Sequence, residues 1–484
     1  MLRNFLVVGA GNYGAMAISL AINAVLTRRL GVDQFGHLAL LLTASQVLAL
    51  VAANWTHTAL VRFGAQEFAR SSSTASSFWT RIWMVLPWVA LAALAMFSAR
   101  TAVAGYLMIP AWGLAIVLAH FGAAFLLLTI GAMFQARNEM RRYGIVLFCD
   151  KVVMALMLFA LLPAAWTRNP LAVLGMYAVS SLAVSVWGFT RLSRSSFLPI
   201  AFDRPAYRAM MAFSLPLLLS TWVGLFGTNW FDIVLIKKYR PLSEVGLYSL
   251  GTVLAGVVQQ VTIIFSTLLL PRLSVMVGRG ELDRIRAFVD RVLPYWFAGT
   301  AVLFAAVAVG ARPAVPWVFG RAFAPAASVL AISMLAACAL ALFNAFSPLV
   351  AAFGATWALT AIALVSGAVN VALDFAWIPG YGIRGAALAT VVAYAVSAAL
   401  TVVYVQRRLQ QNVVRLGVFV LPVVIVCACL AFLDAARFYV IAIPAGAVAV
   451  SWLVHHFQLF RGEDATFLKD LRYFAAAASG TPAQ

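Results

Sequence analysis

Acidic side chains are scarce: 15 Asp and Glu stand against 34 Lys and Arg in 484 residues, and charged residues of both signs reach only 10%. A soluble domain carries about 25% charged and about 45–50% apolar residues, whereas this chain is 64% apolar with a mean hydropathy of +0.97. Those proportions exclude a soluble fold. They also exclude a soluble nucleic-acid binder, which the net charge of +19 would otherwise suggest. The basic residues instead cluster between apolar runs, where they set topology and meet anionic headgroups. Cysteine is scarce too. Cys149, Cys338, Cys427 and Cys429 form neither a disulfide framework nor a metal site, because the one close pair falls on different helix faces. Walker loops, paired catalytic carboxylates, G-x-S-x-G elbows and metal-ligand spacings are absent, so an enzyme is not expected. No cofactor is expected either, and transport would draw on an ion gradient (H+ or Na+) or the membrane potential.

What the chain has is apolar runs. A bilayer core of about 30 Å needs about 20 mostly apolar residues per helix. On that scale the sequence predicts an all-α polytopic membrane protein of about fourteen transmembrane helices. The spans lie near 5–27, 36–58, 79–98, 111–134, 144–163, 170–190, 213–236, 245–270, 292–311, 326–352, 358–378, 383–405, 415–433 and 438–458. Arg3 precedes the first run without a small-residue cleavage site, which reads as a retained first helix. Lys and Arg favour the side holding the N-terminus by roughly two to one, placing both termini in the cytoplasm. Arg62, Arg70, Arg81 and Lys151 are counted among those connecting-segment charges. The expected organisation is a six-helix lobe at 1–190, a cytoplasmic hinge at 191–212, a second six-helix lobe at 213–405, and two further helices with a tail at 406–484. Segment 272–291 mixes charge signs and predicts an amphipathic cytoplasmic helix.

Span seven repeats the plan of span one, and span eight that of span two. Asn23 precedes Arg28 by five residues, as Asp232 precedes Lys237; Gly36 precedes Arg62 by 26, as Gly246 precedes Arg272. Parallel repeats of six helices recur in transporters whose halves rock about a central cavity.

Polar residues at helical spacing mark faces turned towards protein or water. Span one carries Asn12, Ser19 and Asn23; span two carries Gln46, Asn54, His57 and Arg62; span seven carries Thr228, Asn229 and Asp232. Span eight carries Gln259, Thr262 and Ser266 before Arg272, and span eleven carries Ser366, Asn370 and Asp374. Such residues also serve as ordinary interhelical glue, at about 0.6 kcal/mol per bond. Asp232 stands apart, because an ionised Asp at a helix centre costs about 2.5–3.5 kcal/mol. It lies about 7 Å by helical rise from Lys237, near the outer end of its span, which suits an outer gate or ion coupling better than a mid-cavity contact. A salt bridge to another helix is the competing reading. Arg62 and Arg272 read either as topological anchors or as paired guanidinium groups that bind an anion at the inward mouth. His57 and His120 read as packing residues, with His57 the better pH-sensing candidate.

Three stretches carry a resemblance. Leu26–Gly36 (LTRRLGVDQFG) resembles the loop after the first helix of bacterial polysaccharide flippases, the Wzx-like O-antigen and exopolysaccharide transporters of the MOP (multidrug/oligosaccharidyl-lipid/polysaccharide) superfamily. Phe231–Tyr248 (FDIVLIKKYRPLSEVGLY) and Asn370–Thr390 (NVALDFAWIPGYGIRGAALAT) are similar to two further segments of that family, the last being the most specific. Asp33-Gln34 and Arg240-Pro241 depart from the family pattern. The resemblance implies a V-shaped bundle of two six-helix repeats plus two helices in the bacterial inner membrane. It implies translocation of undecaprenyl-pyrophosphate-linked oligosaccharide, with a glycan polymerase and glycosyltransferases as partners. Arg62, Arg272 and Arg28, with Asn54 and Gln259, would meet the pyrophosphate and sugar. Asp232, with Asn23, Asn229 and Asp374, would couple an ion or form a gate. Two alternatives stand beside this one: an ion-coupled exporter of small amphipathic or cationic compounds, and a non-transporting scaffold of a glycan-assembly complex.

Overall fold

The computed structural model describes residues 2–200, 202–225, 229–432 and 435–457, with side chains described except at 2–10, 219–220, 223–225, 229, 430–432 and 435–438. The expected tail charges Arg461, Lys469 and Arg472 lie outside these residues, as do Thr228 and the side chain of Asn229. Every described element is helical. In chain order they are α1 (Leu2–Ala52), α2 (His57–Ser71), α3 (Ala75–Ser98), α4 (Arg100–Leu107), α5 (Gly113–Ala136), α6 (Met140–Leu161), α7 (Pro170–Arg191) and α8 (Arg204–Leu225). There follow α9 (Asn229–Tyr239), α10 (Leu242–Gly278), α11 (Leu282–Arg291), α12 (Leu293–Phe319), α13 (Ala326–Ala352), α14 (Thr356–Leu409), α15 (Leu421–Phe432) and α16 (Ala435–His456).

Lipid offers no partner for a bare peptide group, so the chain satisfies its backbone within helices. Ten of the described helical stretches are long and apolar enough to cross a membrane. α1 and α14 each hold two expected spans end to end. The break between them is one glycine, Gly31 (φ 73°) and Gly382 (φ 57°), in a backbone region that side chains with a Cβ rarely enter. With α1 and α14 each counted as two segments, α8 and α9 set together against the span expected at 213–236, and the shorter α2, α4 and α11 left out, the described helices fall on the fourteen expected spans. Large apolar side chains lie exposed along α3 (Leu86, Leu91, Leu94, Phe97), α6 (Leu156, Phe159) and α7 (Val179, Leu182, Val186), as lipid-facing surfaces require.

Helix ends are built from the sequence around them. Asn169 caps α7 by accepting from the Leu171 N–H at 2.9 Å, with Pro170 at the first helical position. Glu67 of α2 caps α3 from a distance, accepting from the Ser76 and Ser77 N–H groups at 3.0 and 2.8 Å, where a carboxylate complements the helix dipole. The amphipathic helix expected at 272–291 is confined to α11, because residues 272–278 continue α10. α11 buries Ile285, Phe288 and Val289 and pairs Arg284 with Glu281 and Arg286 with Asp283 on its wet side.

The chain forms two compact units, Met1–Gly246 and Leu247–Gln484. In the first, Leu60, Phe78, Ile130, Phe134 and Val184 make the centre of a core drawn from α2, α3, α5 and α7. The connector after α7 is tied into this unit. Ser73 Oγ donates to Ser195 O (2.6 Å), and Trp79 Nε1 donates to Phe197 O (2.7 Å). Small residues allow backbones to meet, as membrane helices favour. A Cβ on Gly36 would lie 2.8 Å from Gly246 N, and one on Gly246 would lie 2.9 Å from Gly36 N. The two glycines matched by repeat spacing therefore face each other where α1 crosses the start of α10. In the second unit α13 is the central helix, packed on α12 and α14 and lined with buried alanines.

Candidate functional site

In the first unit, α1 stops at Ala52 and a short 3-10 turn, Asn54–Thr56, hands the chain to α2. Ala53, at φ −135° and ψ −36°, makes this a true interruption rather than a bend. The expected second span thus ends earlier than 58. Asn54 sits half-buried in the turn, and Arg62 stands exposed on α2 just past it. The Arg62 guanidinium lies 4.6 Å from the Phe213 ring centroid and 5.6 Å from that of Phe63, a stacking that holds the cation in place while leaving its N–H groups to a ligand. Arg28 is exposed on α1, one turn before the Gly31 break.

Asn23 and Asp232 differ in surroundings. The Asn23 amide donates to Ser19 O of its own helix at 2.9 Å, so the expected stripe partners bond each other. Asp232 is 1% exposed in the first turn of α9.

In the second unit Gln259 donates to the Ser333 carbonyl of α13 at 3.4 Å, and Asn344 donates to Thr262 Oγ1 at 2.8 Å. These bonds tie α10 to α13, so Gln259 has a structural task. Arg272 is half-buried and follows Pro271 within α10, not at the helix end as the hydropathy suggests. Asn370 and Asp374, four residues apart on α14, meet through an amide-to-carboxylate hydrogen bond, with both side chains buried. Among the described residues no cluster of three His, Cys, Asp or Glu forms a metal site.

Two buried charges escaped the sequence reading. Lys151 lies midway along α6 rather than in a connecting segment, and its ammonium meets the Asp150 carboxylate at 2.7 Å. Asp150 also accepts from Ser181 Oγ at 2.8 Å, while Ser180 Oγ donates to its backbone carbonyl at 2.7 Å. Arg81 likewise belongs to α3, where it is fully buried. Adjacent acid and base inside an expected span could have flagged the first. Only tertiary structure reveals the second. His120, expected to be a packing residue, shares a 2.7 Å hydrogen bond with Ser45.

A family model described as polysaccharide biosynthesis protein matches residues 1–277, more than half the chain. The chain belongs to the polysaccharide biosynthesis protein family. A second model, described as lipid II flippase MurJ, matches residues 248–458. No curated protein matches the chain. Solved structures share the fold of this family member at low identity. A lipid II flippase MurJ in an inward closed conformation is 11% identical with a TM-score of 0.71, covering 93% of this chain and 98% of its own. An inward-facing multidrug resistance MATE family transporter of the MOP superfamily is 12% identical with a TM-score of 0.60, over 82% of this chain and 94% of its own. A Vibrio cholerae MATE transporter in the bent form is 15% identical with a TM-score of 0.52, over 86% and 97%. This polysaccharide biosynthesis family member is therefore a multi-pass membrane protein with the all-helical fold that the sequence predicts, a fold it shares with a solved MOP superfamily transporter.

Proposed function

We propose that the protein is a bacterial inner-membrane flippase carrying an undecaprenyl-pyrophosphate-linked oligosaccharide from the cytoplasmic to the periplasmic leaflet by alternating access. The observation that carries this reading is the polysaccharide biosynthesis match over residues 1–277, the stretch that contains Arg28, Arg62, Asp232 and Arg272. Arg62 supports it chemically. An exposed guanidinium propped on two phenylalanines is suited to a pyrophosphate, whose charge and geometry match the planar fork. Arg28 and Arg272 serve the same anion in other steps of the cycle, and Asn54 adds a polar contact. Asp232, Asn23, Asn229 and Asp374 form the ion-coupling set, with Asn370 as the amide partner of Asp374. Both termini lie in the cytoplasm, and a polymerase and glycosyltransferases act on the same lipid-linked glycan.

The test is accumulation of lipid-linked oligosaccharide in cells depleted of the protein and complemented with variants at matched expression. Arg62→Ala, Arg272→Ala and Asp232→Asn should each raise the cytoplasm-facing intermediate and lower exported glycan. Normal export in all three variants would refute the assignment, and loss only with Asp232→Asn would favour an exporter of cations.

A further inference from the structure

Arg81 is 0% exposed, yet only one of its three nitrogens has a hydrogen-bond partner among the described residues. Nε donates to Thr56 Oγ1 at 3.1 Å, and the guanidinium carbon lies 5.0 Å from the Phe125 ring centroid. The two terminal nitrogens, with four N–H groups between them, have no acceptor among the described residues. A buried charge without a carboxylate partner is strongly unfavourable.

Its surroundings share one chemical bias. Trp55 and His57 flank Thr56 in the interruption between α1 and α2, and Trp55 Nε1 and His57 Nδ1 are buried without partners among the described residues, the imidazole nitrogen donating or accepting with its tautomer. Trp222 Nε1 on α8 is in the same state. It belongs to the same wall through Trp88, which meets Trp55 edge-on at 6.3 Å and Trp222 at 5.7 Å. Guanidinium and indole nitrogens can only donate. The guanidinium and the two indoles are thus donors without acceptors among the described residues, and their chemical complement is a negatively charged acceptor.

We propose that Arg81 and Trp55 form an anion-binding site in the first unit, covered in this conformer and entered when the Asn54–Thr56 turn moves. The ligand is an anion with oxygen or halide acceptors: a free inorganic anion, or a pyrophosphate headgroup. Only the headgroup source rests on the flippase reading above. Thr56 orients the guanidinium through Nε, leaving its terminal nitrogens for the ligand.

The full-length protein, purified in detergent and exchanged into sodium gluconate, supplies the test. Thermal unfolding and tryptophan fluorescence are followed on adding chloride, inorganic pyrophosphate, or nanodiscs containing undecaprenyl pyrophosphate. Wild type should show a saturable rise in Tm and a fluorescence change with at least one of these. Arg81→Gln should lose both responses, and Arg81→Lys, which keeps the charge but not the fork, should need a higher half-saturating concentration. A response to chloride identifies a free-anion site; a response confined to the pyrophosphates identifies the headgroup. Wild type indifferent to all three probes overturns the proposal, as does Arg81→Gln responding like wild type. If Arg81→Gln does not fold, an Arg81→Lys response identical to wild type also overturns it. Because the readout is binding and not export, failure here leaves the flippase reading intact.

Discussion

Arg81 and Asp150 are both buried charges in the first unit, and they are treated in opposite ways. Asp150 has a lysine at 2.7 Å and a serine hydroxyl at 2.8 Å, so its charge is neutralised and its oxygens are bonded. Arg81 has one hydroxyl and one aromatic face, and no ion pair involving it is found among the described residues. Burial alone therefore does not separate a structural ion from a functional one. The separating feature is whether the protein completes the charge itself. Asp150 is complete without a ligand, and Arg81 is not.

That contrast can be broken most sharply at Asp150. Replacing Asp150 with Ala strands Lys151, and a broken buried pair costs about 3 kcal/mol, taken at the lower end because Lys151 is partly exposed. Thermal unfolding in detergent should show the loss, and Asp150→Ala with Lys151→Ala together should recover much of it. A double variant no better than the single would show that the pair is not the source of the stability. Ser181→Ala removes a charge-assisted hydrogen bond and should cost about 1.5 kcal/mol by the same measurement. Arg81→Met should have the opposite sign. In gluconate, an anion too bulky for a fully buried site, it removes an uncompensated ion and should raise stability by about 1 kcal/mol, because apolar replacements of buried ions are often stabilising. A lowered Tm for Arg81→Met in gluconate would place Arg81 with Asp150 as a structural ion. The smallest effect is expected at Ser45→Ala, which takes one neutral bond from His120 and should cost about 0.6 kcal/mol.

The spans were legible because a bilayer imposes a length that a run of apolar residues either meets or does not. The breaks at Gly31 and Gly382 were legible for the same reason, since each separates two runs of spanning length. Neither buried ion was. Arg81 stands near the edge of an apolar run, where a hydropathy window cannot distinguish a helix-end anchor from a residue folded inward. Its surroundings come from Thr56, Phe125 and the tryptophans of other helices, which no local pattern brings together. Lys151 is counted with the connecting-segment charges, because basic residues usually mark topology, although it falls inside the span expected at 144–163. α6 runs from Met140 to Leu161 and holds Lys151 at its middle, next to Asp150. Of the expected site residues, Arg62 stacks over the Phe213 ring and Gln259 donates to the α13 backbone. Polar stripes report that a face is not in lipid. Whether that face meets a substrate or another helix is decided by tertiary neighbours.

The glycine crossing on α1 also sets a timetable. Ribosomes add about 5–20 residues per second, so Gly36 is made roughly 10–40 s before Gly246, the residue whose backbone it must meet. Throughout that interval the α1 backbone at Gly36 has no cover from α10. Nascent chains arrested shortly before Gly246 should be more readily degraded than chains arrested well beyond it, where the first unit can close during synthesis.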